Sequence, residues 1–117
     1  MENNAIQSKS YHFAIRIVKL YKFLVSNKKE FVLSKQVLRS GTAIGALVSE
    51  SKYAQSKADF VSKLSIALKE ANETEYWLTL LKDTDFIDEK SFNSIISDNK
   101  ELLKLLISII NSTKRNN

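Results

Sequence analysis

Three groups of side chains in this 117-residue sequence have the type and spacing to do chemistry, and one histidine stands apart from them. The first group is Arg39 with Glu70 and Glu73. If helices on either side of position ~55 run antiparallel, Arg39 falls level with position ~72, beside those two glutamates and within a turn of Glu75. A guanidinium satisfies one or two carboxylates through paired hydrogen bonds, so the simplest reading is a structural ion pair. Were that pair buried, losing Arg39 would cost roughly 3–5 kcal/mol. Hydrolysis by the two carboxylates would need them in contact with water beside a nucleophile, a base or a metal. The chain has no Cys, and its one histidine, His12, has Lys9 rather than a glutamate three residues before it. That removes the Glu-x-x-His ligands of a carboxylate-bridged di-iron bundle and leaves His12 as a solvated surface residue. We expect no catalytic residue, no metal and no cofactor.

The second group is basic. Lys9, Arg16, Lys19 and Lys22 share one half of a helix, and Lys28 and Lys29 extend them into a turn. Between Asn3 and Ser49 only Glu30 is acidic, against eight basic residues. Residues 1–69 carry twelve basic and four acidic groups, whereas residues 70–117 carry six and nine. Contacts to phosphate need flexible cations spaced along a face, without base-specific geometry. The bland alternative is an ordinary solvated face. No zinc finger, basic zipper or RNA-recognition pattern accompanies the cations, so binding to RNA or DNA would be directed at the backbone and weakened by salt. The charge asymmetry supports a second reading equally well. In it the protein is an interaction scaffold with no nucleic-acid role, whose basic and acidic surfaces meet between subunits or on a partner enzyme. The third group is Gly41 and Gly45, four apart on one helical face. Close packing of a neighbouring helix explains them better than a phosphate site, since neither a strand nor a Gly-rich loop precedes them.

These residues need long helices to position them, and the composition supplies them. There is no Pro and only two Gly, so nothing interrupts helices, and a β-sandwich would lack its turns. A first helix is predicted over about 10–26. Its two apolar stripes, Tyr11-Ala14-Val18-Tyr21-Val25 and Phe13-Ile17-Leu20-Leu24, fill about half the circumference. A second helix starts between 31 and 34 and continues to about 53. Ser56 and Asp59 read as the capping box of a third, whose Phe60, Leu64, Ala67, Ala71, Thr74, Leu78 and Leu81 recur every four and three residues, like the seam of a bundle. Asp88 caps a fourth, which runs to about 112. Connections this short impose an all-α, antiparallel up-down-up-down bundle, one domain over 1–117 with frayed ends near 1–8 and 113–117. The broad apolar arcs of the first and fourth helices exceed what one subunit can bury, so a homo-oligomer is expected. No apolar run approaches the ~20 residues of a membrane span, and the start lacks a signal-peptide core. A cytoplasmic protein with no membrane partner is expected.

The run from Leu33 to Ala46, with Arg39-Ser40-Gly41-Thr42 at its centre, resembles the hallmark of the bacterial four-helix bundle proteins. These are also called S23 or 23S rRNA intervening-sequence proteins. A second match joins Ser56, Asp59, Phe60, Lys63, Leu64, Ile66, Ala67, Lys69, Glu70, Glu73, Thr74, Tyr76, Trp77 and Leu78, so the resemblance covers essentially the whole chain. It marks Arg39, Ser40, Ile44, Glu50, Phe60, Glu70 and Glu73 as characteristic positions. Two departures are Ala43, where the family usually has Ser, and Leu47, where it usually has Asn. The resemblance implies a bundle that assembles into a barrel-like homopentamer, with no accepted enzymatic activity. It also implies kinship with the accessory variability protein of diversity-generating retroelements, a basic pentamer that binds reverse transcriptase and nucleic acid.

Overall fold

The structure is a computed structural model that describes residues 2–116, with side chains from Ala5 onward. Its helices are α1 (Glu2–Asn27), α2 (Leu33–Ser51), α3 (Lys57–Asp83) and α4 (Glu89–Arg115), and no strand occurs among the described residues. Each helix packs antiparallel against its neighbour in the chain, and α1 closes the ring against α4 less closely than the other pairs meet. The result is the expected four-helix bundle, with a long axis of 49 Å.

Helix α1 begins at Glu2, eight residues before the predicted start. The reason is a seam that polar residues concealed. Ile6, 2% exposed, continues the Phe13-Ile17-Leu24 stripe one heptad toward the N-terminus, and between them sits Ser10, a buried serine. The α4 end is helical to Arg115 as well. Met1 and Asn117, the outermost residues of the ends expected to fray, lie outside the described residues.

The third helix follows its predicted spacing from Leu64 on, whereas Phe60, the first residue of the predicted seam, is only partly buried because it lies in the opening turn of the helix. Leu64, Ala67, Ala71, Thr74, Leu78 and Leu81 are all sealed from solvent. Ser56 Oγ accepts the Asp59 N–H at 3.0 Å, while the Asp59 carboxylate accepts from Gln55 N at 3.1 Å. The box therefore closes one residue ahead of the cap. Asp88 caps α4 by accepting the Ser91 N–H at 2.7 Å.

Apart from Glu30 in the α1–α2 turn, the buried polar groups sit on the helices. The Thr74 hydroxyl lies 2.8 Å from the Glu70 carbonyl and 2.9 Å from Ser40 Oγ, a polar stitch between α2 and α3. Asn99, fully buried on α4, donates from Nδ2 to the Ala71 carbonyl at 3.0 Å, while its Oδ1 meets no donor among the described residues.

At both glycines α1 packs directly onto the α2 backbone. A Cβ on Gly41 would stand 2.7 Å from Ile17 Cγ1, and one on Gly45 would stand 3.1 Å from the Ser10 carbonyl oxygen. Ile17 has no exposed surface and nowhere to retreat. Gly41→Ala gains about 1 kcal/mol of helix propensity but incurs an overpacking cost of roughly 1–3 kcal/mol. A net loss of stability is expected in chemical denaturation. In an Ile17→Ala background the same substitution should become neutral or favourable, since the clashing atoms are gone.

Candidate nucleic-acid interface

The basic residues of α1 divide into two sets. Lys9 pairs with Glu101 at 3.2 Å, and Arg16 pairs with Asp98 at 2.7 Å while also donating to Ser94. Both cations lie on the α1–α4 seam. At ~100° per residue, Lys19 and Lys22 stand about 60° and 120° further round α1 from Arg16. They are exposed and form no ion pair among the described residues, and the same holds for Lys28 and Lys29 in the turn. Lys28 Nζ stands 6.0 Å from the centroid of the Phe23 ring. Within α1 and the turn that follows it, the cations that form no ion pair thus lie toward the C-terminal end.

Glu30, the one acid in this stretch, does not neutralise it. Its side chain is folded inward, 9% exposed, against the start of α2. One carboxylate oxygen accepts from Val32 N at 3.1 Å and Leu33 N at 2.9 Å, and the other accepts from Ser34 N at 2.6 Å. The Ser34 hydroxyl returns a bond to the Glu30 carbonyl at 2.9 Å. Lys29 holds a left-handed backbone, φ 54°, which turns the chain into this arrangement. Glu30 is therefore the cap of α2, matching anionic charge to the positive end of the helix dipole. Sequence reasoning saw only a lone acid in a charged turn. The signal was its position two to four residues before the first α2 amides, in a segment without Ser, Thr, Asp or Asn at the usual capping place.

Arg39 reaches both predicted carboxylates. Nη1 and Nη2 donate to the two oxygens of Glu70 at 3.3 and 3.1 Å, and Nη2 donates to Glu73 at 2.6 Å. Trp77 Nε1 donates to the same Glu73 oxygen at 3.0 Å. Hydrogen bonding to Glu70, and next to Glu73, raises the Arg39 pKa above its ordinary value. The Trp77 N–H, followed by Arg39, holds Glu73 below the usual carboxylate range. With Arg39 on both, neither glutamate is placed to act as a free general base. The pair is not buried, however, because the Arg39 side chain is 52% exposed. Glu50, another characteristic position, contacts Lys63 at 3.7 Å across the same helix pair. Ala43 and Leu47 offer no polar group on that helix, and Leu47 packs against the core instead. His12 is a surface residue whose Nδ1 lies 2.7 Å from the Ser8 carbonyl, which requires the proton on that nitrogen. No cluster of three or more His, Cys, Asp or Glu able to hold a metal occurs among the described residues. No helix among them is long and apolar enough to cross a membrane.

Two substitutions check this account. Arg39→Ala is expected to cost about 1 kcal/mol, the scale of a solvent-screened ion pair rather than a buried one. Burial disfavours the charged form of Glu30, but the amides of Leu33, Ser34 and Val32 outweigh it and lower its pKa. A carboxylate held below its unfolded value contributes stability above about pH 4.3 and loses it as the pH falls through its folded value. Glu30→Gln should accordingly be about 1 kcal/mol less stable than wild type at neutral pH, and the gap should close on acidification. A gap that stays constant with pH would show that the charge contributes nothing.

A family model described as 23S rRNA-intervening sequence protein matches residues 2–108 of the chain. The crystal structure of a protein of unknown function from the S23 ribosomal protein family of Bacteroides thetaiotaomicron superposes with a TM-score of 0.94, at 60% sequence identity. That match covers 95% of this chain and 99% of the other. No curated protein matches significantly.

Proposed function

The chain belongs to the 23S rRNA-intervening sequence protein family, and from that premise we propose a non-enzymatic, homo-oligomeric adaptor that binds RNA or DNA through backbone electrostatics. One observation carries the reading. Lys19, Lys22 and Lys29 are unpaired at one end of α1, Lys28 beside them forms no ion pair and meets Asp88 only as a through-space attraction, and the single acid nearest them in sequence directs its charge inward on α2. Cations left without carboxylate partners attract a polyanion and release its counterions.

Self-association rests on the N-terminal turns of the α1 face that Lys22 continues. Tyr11, Ile15 and Val18 stand about 120–180° round α1 from the Ile6-Phe13-Leu24 seam, and Tyr11 is 65% exposed. An apolar stripe of this kind is covered most simply by a second subunit, and a pentamer is the proposed assembly by family resemblance.

Filter binding over a range of salt concentrations tests the proposal. Affinity should fall steeply with salt, and replacing the four lysines by Gln should reduce the log–log slope by roughly 0.7 for each lysine engaged on a single strand. Light scattering on the same samples should report an oligomer that Val18→Asp dissociates. Binding that is absent at low salt, or indifferent to the four lysines, overturns the nucleic-acid role.

A further inference from the structure

We propose that the groove between the C-terminal half of α1 and the α3–α4 turn seats one nucleotide of a single-stranded nucleic acid, its base against Phe23 and Phe86 and its phosphates on Lys19 and Lys28. This inference rests on the polyanion reading above and narrows it from any strand to an unpaired one. The groove has a volume of about 620 Å³ and is floored by Leu20, Ile87 and Ile95. That is the size of a small-ligand site, with an apolar floor under charged walls, rather than a flat electrostatic patch. Duplex phosphates ask only for cations. Aromatic walls add a stacking surface that only unpaired bases can use. Phe23 is 40% exposed beside the Lys28 ammonium, so a ring face and a phosphate-binding cation already stand together at the groove.

The carboxylates of the groove make the assignment more specific. Asp88 is engaged in capping α4 and also attracts the Lys28 ammonium, an attraction that a phosphate would have to outcompete. Asp85 accepts no hydrogen bond among the described residues, lines the groove, and holds a left-handed backbone at φ 69°. That position follows the C-cap of α3, where glycine is the usual residue because it lacks the Cβ penalty. A strained aspartate would repel a phosphate, but its carboxylate suits the exocyclic amine of a base such as cytosine. The groove thus has cations on the α1 side for phosphate and an acceptor on the α3–α4 side for a base edge.

Fluorescence anisotropy with labelled oligo(C), oligo(U) and an RNA duplex of equal length tests the idea at low salt. The single strands should bind more tightly than the duplex, with oligo(C) ahead of oligo(U). Phe23→Ala, at a part-exposed position that tolerates truncation, should weaken single strands about five-fold or more and leave the duplex unchanged. Asp85→Gly should raise thermal stability while erasing the preference for oligo(C). If salt-sensitive binding persists but Phe23→Ala alters strand and duplex alike, or neither, the groove assignment fails and the electrostatic role stands. If no probe binds at all, both fail. Cytidine monophosphate binding as tightly as oligo(C) would reassign the groove to free nucleotides and overturn the strand reading.

Discussion

The approach of α1 to α2 at two glycines governs the rest of the bundle. Gly41 receives Ile17, and Gly45 receives the backbone of Ser10, so the two helices can meet at only one level. That level sets the height of Arg39 relative to the remainder of α2, and the short turn at 52–56 carries it to α3, where Glu70 and Glu73 wait. The polar stitch of Ser40 and Thr74 one position on confirms the same registry from inside. Small residues on α3, Ala67 and Ala71, extend the principle. Tight contact is purchased with missing side-chain volume, and the large residues of the opposite helix fill it.

The surface charge follows from where the acids are placed rather than from how many there are. Asp98 and Glu101, three residues apart on α4, face Lys9 and Arg16 on α1 and cancel them locally. Glu30 faces inward and serves α2. The remaining acids near that end sit on the α3–α4 turn, across a groove from the free lysines. A net charge of +5 therefore understates the local field, because positive and negative groups occupy opposite walls. Charge separated in this manner orients an approaching polyanion as well as attracting it.

Much of the fold was legible because helical periodicity and capping are local. The α3 seam, the Ser56 and Asp88 caps and the glycine contacts are all readable within a few turns. The Arg39 cluster was legible too, since a single tight turn separates its helices and registry can be computed across it. Its exposure was not, because solvent contact depends on how far α2 and α3 rotate about their own axes. Likewise, the start of α1 was hidden by Ser10, a polar residue occupying a core position. The pairing of Lys9 and Arg16 could not be read because α1 and α4 are related through three successive turns, each adding its own uncertainty in height. The groove escaped for the same reason, being built from α1, the α3–α4 turn and the start of α4, which meet only after all four helices have packed.

Asn99 gives the core an address. The inner face of α4 is otherwise rich in Leu and Ile, side chains that would fit nearly as well if the helix slid along its axis by two turns. An amide that finds the Ala71 carbonyl at one height alone penalises every other height with a stranded donor. Leucine there would strengthen the interior and loosen its uniqueness. A slipped α4 would carry Asp98 and Glu101 away from α1 and dissolve the wall opposite the lysines, so one awkward amide deep inside decides which charges face each other outside.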